Sequence, residues 1–295
     1  DYAPDRMLRR AEEFIRQNKD RPFFLFYTTT LVHLALHIPE EDLKPYLGLW
    51  PETPFTGNGY TPHRTPRAAY AAMVSRLDRD VGRLLALLEE LGLERDTIVF
   101  FSSDNGTTHL PKEVDAAFFQ SVGPLRGLKG SLYEGGIRTP MIVRWPDKIP
   151  AGTTTDHLSA FWDILPTVAE LVGFAPPAGI DGISFAPTLL GQPQEQKQHE
   201  YLYWEIGSYG GQMAVRMGPW KGVMQGLHSK GGGFGARGIG PRLELYQLEK
   251  DIGEKEDVSA KHPDIVRKMR RIVDQAHTPN PLFRMIPFDP LETGQ

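Results

Sequence analysis

The chain has 295 residues, 40% hydrophobic and 24% charged, enough for one large domain or a domain with a small appendage. Its formal charge of -4 leaves no basic face to follow a phosphate backbone, so nucleic acid is not an expected partner. The absence of cysteine removes disulfides, thiolate metal sites and a cysteine nucleophile from these residues, and no apolar run reaches the ~18 residues that would predict a membrane span.

The chain starts at Asp1 without a signal-peptide pattern and runs almost at once into helix-forming sequence, as the interior of a longer protein would. Pro4 suits a first turn, and Ala11, Phe14 and Ile15 recur at helical spacing, which predicts an amphipathic helix over residues 4–17. The aromatic and β-branched run from Pro22 to Thr30 shows no alternation and predicts a strand covered on both faces. Residues 38–66, rich in Pro, Gly and Thr, predict a long surface excursion.

From Pro66 to Leu93 the pattern is helical, with Ala69, Met73, Leu77, Leu84, Leu85 and Leu88 on one side, Arg76, Asp78, Arg79 and Arg83 elsewhere, and Gly92 as the stop. Buried strands are expected at residues 97–103 and 141–145, separated by a glycine-rich loop. Asp163 is placed to cap a helix that Gly173 closes. This alternation predicts an α/β fold with a mainly parallel sheet flanked by helices. A polar linker near residue 192 divides it from four short strands and a closing helix over 262–276, so the expected domains are 1–192 and a small antiparallel subdomain over 193–295.

Three segments carry possible chemistry. Asp104-Asn105-Gly106 stands where a buried strand ends, the place open α/β sheets put their sites, and its two side-chain oxygens suit a hard cation better than zinc. A plain Asn-Gly turn is the bland alternative. Lys129 lies on a loop with glycines at 127, 130, 135 and 136, where a compact cation can hold a tetrahedral anion; Arg126 and Arg138 can assist it or pair with Glu134. His33 and His37 follow the first strand, and Pro39 with the β-rich flanks predicts extended chain rather than a helical zinc pair. Gly233-Phe-Gly-Ala-Arg-Gly matches a dinucleotide fingerprint only formally, because it leads to Pro241 rather than into a helix, and the Gly-x-Ser-x-Gly nucleophile elbow is absent.

Taken in order, these pieces resemble the sulfatase family of the alkaline-phosphatase-like superfamily. The resemblance runs through Lys19-Asp-Arg-Pro-Phe-Phe-Leu, the His33 segment, Ser75-Arg-Leu-Asp-Arg-Asp-Val-Gly, Phe101-Ser-Ser-Asp-Asn-Gly and Leu128-Lys-Gly-Ser-Leu-Tyr-Glu-Gly-Gly-Ile-Arg-Thr-Pro. It continues through Asp163-Ile-Leu-Pro-Thr, Asp181-Gly-Ile-Ser, Val215-Arg-Met-Gly-Pro-Trp-Lys and Glu244-Leu-Tyr-Gln-Leu.

The resemblance implies sulfate monoester hydrolysis with Asp104 and Asn105 as two ligands of a divalent cation, calcium or else magnesium, and Lys129 on the sulfate and leaving-group oxygen. His33 matches the histidine of the family's Pro-His-x-Pro-Leu-x-x-Pro segment, with Val32 and Ala35 replacing its first two prolines and Leu36 and Pro39 keeping the register; His37 is the fallback. It also implies a formylglycine nucleophile, and no Cys/Ser-x-Pro-x-Arg motif lies within the chain, which predicts a C-terminal portion that is inactive by itself.

The implied substrate is a sulfated small molecule or carbohydrate, the implied setting periplasmic or extracellular. Segments 44–64, 109–115 and 227–241, with Trp50, Tyr60 and Trp204, are candidate pocket walls. A phosphodiesterase or phosphonate monoester hydrolase of the same superfamily and a non-catalytic fragment are the competing readings.

Overall fold

A computed structural model describes residues 1–57, 59–108, 114–227, 242–285 and 288–289. The chain divides into two compact units. The first comprises Asp1–Phe101, Leu110–Ser121 and Ile142–Ala151, the second Ser102–His109, Val122–Met141 and Gly152–Gln295.

In the first unit, α1 spans Ala3–Asn18, with Pro4 in its first turn and Leu8, Ala11 and Ile15 buried on one face. A short helix α2 (Glu40–Leu43) lies within the 38–66 excursion, and α3 runs from Pro66 to Glu90. Gly92 closes α3 at φ +69°, a left-handed conformation that costs glycine little, and donates its amide to Glu89 O at 2.9 Å. Strands β1 (Val99–Ser102) and β2 (Met141–Arg144) form a two-stranded sheet.

Two expectations are corrected here. The segment from Pro22 to Thr30 is not a strand covered on both faces: it is assigned to no strand, and Phe23 and Leu25 pack against Ile15, Leu87 and Leu88 while Phe24 and Phe26 stand 77% and 79% exposed. With no ladder partner, an extended chain covers only the face that the helices reach. Arg76, expected away from the core, is buried on α3, where Nε donates to Asp80 Oδ1 at 2.8 Å and Nη1 to Asp42 Oδ2 at 3.0 Å, with Asp5 also paired. Three carboxylates compensate the charge that burial would otherwise penalise.

The second unit is centred on a four-stranded antiparallel sheet in the order β3 (Leu202–Ile206), β4 (Gln212–Met217), β5 (Trp220–Gln225) and β6 (Glu244–Gln247). Ala214 faces Val223 across β4 and β5, and Gly222 faces Leu245 across β5 and β6. Alternation along β4 sorts its side chains. Met213 and Val215 join Met224 and Leu245 against Met269, Ile272 and Val273 of the closing helix, Pro263–Ala276. Ala214 and Val223 instead meet Leu132, Tyr133 and Tyr246. The sheet is therefore covered by a helix on one side and by the glycine-rich loop on the other. Gly222 leaves room for the first contact, since a Cβ there would come within 2.7 Å of Met269 Sδ and the Met269 side chain would have to shift.

Three shorter helices complete this unit: α4 (Glu134–Ile137), α5 (Ile164–Leu171) and α6 (Ala186–Leu189), so that the closing helix is α7. Asp163 does not cap α5 as expected. Its carboxylate accepts the amides of Ala160 at 2.7 Å and Ile183 at 2.8 Å and bonds His199 Nε2 at 2.8 Å, because a preceding 3-10 turn brings it within reach of the Asp181-Gly-Ile-Ser segment. The mixed α/β architecture and its small antiparallel sheet are those the sequence predicts. Among the described residues no helix is long and apolar enough to cross a membrane.

Candidate active site

The second unit brings two of the predicted segments together. Beyond β1 the chain turns through Asp104 and Asn105, and the Gly106 amide donates to Gly136 O at 2.9 Å. One residue further on, Thr107 O accepts the Lys129 amide at 2.7 Å. Gly135 donates to Arg126 O at 2.7 Å and folds the loop back on itself. The approach is close enough to require glycine: an ideal Cβ would fall 2.0 Å from Gly135 O at Gly106, 2.4 Å from Gly127 O at Gly135 and 2.0 Å from Ser131 O at Gly136.

Asp104 is exposed at this turn. Asn105 donates Nδ2 to Gly106 O at 2.8 Å, which leaves its Oδ1 as the acceptor end. The pair thus offers a carboxylate and an amide oxygen, the donor chemistry of a hard cation. The number of donors is short of a complete site. Among the described residues no group of three or more His, Asp or Glu side chains could hold a metal, so a cation taking ~6–8 oxygens would complete its shell with water, substrate or residues outside this set.

The arginines of the loop have other occupations. Arg126 donates to Tyr246 Oη at 2.9 Å and to Glu254 O at 2.8 Å and stacks 3.8 Å over the Tyr133 ring. Arg138 lies 3.8 Å from Glu134 Oε2, the pairing weighed against an anion contact. Lys129 sits on a stretch flanked by left-handed glycines, Gly127 and Gly130, both at φ +86°.

His33 and His37 belong to the first unit, and both are exposed. Neither lies in a helix or in an assigned strand. In two separate turns the His33 amide donates to Thr30 O at 2.9 Å and the His37 amide to Ala35 O at 2.8 Å, and the nearby Leu31 and Leu36 are buried. His33 Nδ1 lies 2.7 Å from Leu34 O, and its ring centroid is 6.3 Å from that of Tyr60. Trp50 is enclosed by Tyr46, Phe118 and Phe119, and Trp204 packs 5.7 Å from Trp162 in the second unit. Most of segments 109–115 and 227–241, including Gly233 to Gly238, lies outside the described residues.

Sequence reasoning passed over one cluster. Lys221, fully buried on β5, places Nζ 2.7 Å from Glu134 Oε1 and 4.0 Å from Glu254 Oε1. The detectable signal was a lysine inside Trp220-Lys-Gly-Val-Met, a charge in a strand otherwise suited to burial.

Comparison with known proteins gives this fold and site a place. The structure superposes on that of Ps i-CgsB in complex with k-i-k-neocarrahexaose with a TM-score of 0.71 and 29% identity, over 92% of this chain and 55% of the other. Its class is the alkaline-phosphatase-like α/β fold. The Sulfatase family profile matches residues 1–174, and the chain belongs to the sulfatase family. A second profile, N-sulphoglucosamine sulphohydrolase, C-terminal, matches residues 128–230.

Among curated relatives, steryl-sulfatase of Mus musculus is 36% identical over 208 residues, 69% of this chain and 30% of the relative. Arylsulfatase A of Homo sapiens is 31% identical over 271 residues, 87% of this chain and 49% of the relative. The chain therefore spans about half or less of the length of these relatives.

Proposed function

We propose that this chain is part of a sulfuric ester hydrolase that cleaves sulfate monoesters with a formylglycine nucleophile and a divalent cation. The observation that carries the reading is the Lys129 amide on Thr107 O at 2.7 Å, which ties the lysine loop to the Asp104–Asn105 turn within a sulfatase-family chain. Asp104 and Asn105 would hold the cation through their side-chain oxygens, as suits a hard ion, with calcium preferred to magnesium on the family resemblance. When bound, the cation and the aldehyde hydrate supply charge neutralisation and the nucleophile.

Lys129, a compact cation on a loop held by backbone hydrogen bonds, offsets charge on the sulfate and on the leaving-group oxygen. His33 supplies a proton to the departing alkoxide, with His37 as the second choice. No cysteine and no Ser-x-Pro-x-Arg occurs in the 295 residues, so the nucleophile comes from outside them and these residues alone do not turn over. A sulfated carbohydrate is the favoured substrate class, supported by the likeness to Ps i-CgsB, whose structure holds a neocarrahexaose. A periplasmic or extracellular setting suits such a substrate.

The test compares this chain with a longer one carrying an upstream nucleophile segment, on an aryl sulfate with calcium and on an aryl phosphate as control. Sulfate turnover by the longer chain alone, lost in Lys129→Ala and His33→Ala, is the expected result. Turnover by the 295 residues themselves, or preference for the phosphate, overturns the reading.

A further inference from the structure

We infer that Lys221 and Glu254 are positioning residues for the Asp104–Asn105–Lys129 site, gripping Glu134 from two sides so that the adjoining glycines seat the site loop. The inference rests on the proposed role of that site.

Glu134 is held at both its ends by buried charged groups. Its carboxylate takes Lys221 Nζ at 2.7 Å, and its backbone amide donates to Glu254 Oε2 at 2.7 Å. Lys221 and Glu254 are both 0% exposed. Arg216 Nη1 stands 3.6 Å from the other Glu134 oxygen. The next two residues are Gly135 and Gly136, the same glycines that leave no room for a Cβ on Gly106 and accept its amide. One helical turn therefore links the charged cluster to the metal-ligand turn, with no flexible side chain between them.

Core stability does not require such a cluster. Its sheet already has apolar cover on both faces, and a buried ion pair is commonly no better for stability than apolar residues of equal volume. Glu254 also adopts φ +50°, a left-handed conformation unfavourable for a residue with a Cβ, and its Oε1 is buried without a hydrogen-bond partner. Backbone strain, desolvation and an oxygen with no hydrogen bond, only the 4.0 Å ion pair with Lys221, coincide at one residue, and what its other oxygen contacts is the amide that starts α4. Specific placement of that turn accounts for all three.

Glu254 is faced by Lys221 from β5, Glu134 from α4, Arg126 from the loop before it and Arg216 from β4. Burial, the largest influence, pushes its carboxyl up to about 7, with Lys221 opposing, so the grip on Glu134 changes near neutral pH.

The test is amide hydrogen exchange on the whole 295-residue chain, read at Gly106, Lys129 and Gly136, with Ala214, Val223 and Met269 as references for global opening. Lys221→Met is expected to accelerate the three site amides at least tenfold with the references unchanged, and Lys221→Arg to restore most of the protection. In the wild-type chain the protection of the site amides, corrected for intrinsic exchange, changes between pH 6 and 8; Glu254→Gln, which keeps an oxygen acceptor for the Glu134 amide, flattens that profile.

Unchanged site amides in folded Lys221→Met, or equal acceleration at the references, overturns the inference. If Lys221→Met does not fold, the Glu254→Gln profile decides, and a profile identical to wild type is then the overturning result. No turnover is needed, so failure of the sulfatase reading leaves this outcome separately visible.

Discussion

A Cβ placed on Gly106 would stand 2.0 Å from the carbonyl oxygen of Gly135, closer than any real packing contact. The Cβ position is fixed by the backbone and its neighbour is a backbone carbonyl, so no side-chain rotation relieves the clash. Gly106→Ala is therefore expected to lower stability by about 1–3 kcal/mol, the range of an overpacked interior, and to displace the Asp104–Asn105 turn. Urea unfolding checks it: a midpoint equal to that of wild type would show that the loop yields freely.

Arg76 predicts a larger loss. Its guanidinium is the shared partner of Asp80 and Asp42, which are 1% and 9% exposed, and of Asp5. Arg76→Met leaves the buried Asp80 carboxylate uncompensated, while Asp42 keeps Arg79 at 2.7 Å, and is expected to cost about 3–5 kcal/mol. Adding Asp80→Asn should recover part of that loss, since the stranded charge is then gone. A double variant no more stable than Arg76→Met would show that packing, not charge, dominates.

His277 predicts a pH effect of one sign. Its ring nitrogens lie 2.8 Å from Glu205 Oε2 and 2.9 Å from Asp289 Oδ1. Burial opposes the imidazolium, but the hydrogen bonds to both carboxylates outweigh it, so the imidazole is raised above its usual value. The stability it contributes is fully present below about pH 6.5, the unfolded value, and is lost as pH rises through the raised folded value. Asp289, held below the usual carboxylate range, loses its contribution only in acid, as pH falls through its lowered value. His277→Gln should flatten the decline on the alkaline side, as measured by thermal unfolding from pH 6 to 9.

Glu254 predicts a decline with rising pH in a lower window. Its carboxyl is raised from 4.5 to about 7 by burial, with Lys221 pulling the other way. The protonated form is favoured in the fold, so its contribution is fully present below about pH 4.5 and is lost as pH rises to about 7. At ~1.4 kcal/mol for each unit, the loss is on the order of 3–4 kcal/mol at most. Glu254→Gln should remove this slope from urea-derived stabilities; a slope that persists assigns it to other groups.

Helix α1 was legible because Ala11, Phe14 and Ile15 recur at the period of the helix behind Pro4, and the four C-terminal strands because short apolar runs there are separated by turns. Arg76 was not. Its partners Asp42 and Asp5 lie 34 and 71 residues away in sequence, so nothing local marks it as buried. Asp163 carried a true capping signal, yet contacts with Ile183 and His199, 20 and 36 residues on, took its carboxylate. For the site, Asp104, Asn105 and Lys129 stood out as oxygen and nitrogen groups set among glycines. Lys221 was hidden because a strand pattern gives the side of the sheet but not what awaits there.

The sequence by itself determined the family, the long helices and the four C-terminal strands, and the identity of the polar groups at the turn and the loop. Periodicity and short motifs are properties of neighbouring residues, and hydrophobic burial acts on them before any distant contact forms. Tertiary structure alone decided which glycines had to be glycine, since the clash at Gly106 is with a carbonyl 29 residues further along the chain. It also decided where charge could be buried. The pairing of Lys221 with Glu134 spans 87 residues, and only a folded sheet holds two such groups 2.7 Å apart against the cost of removing both from water.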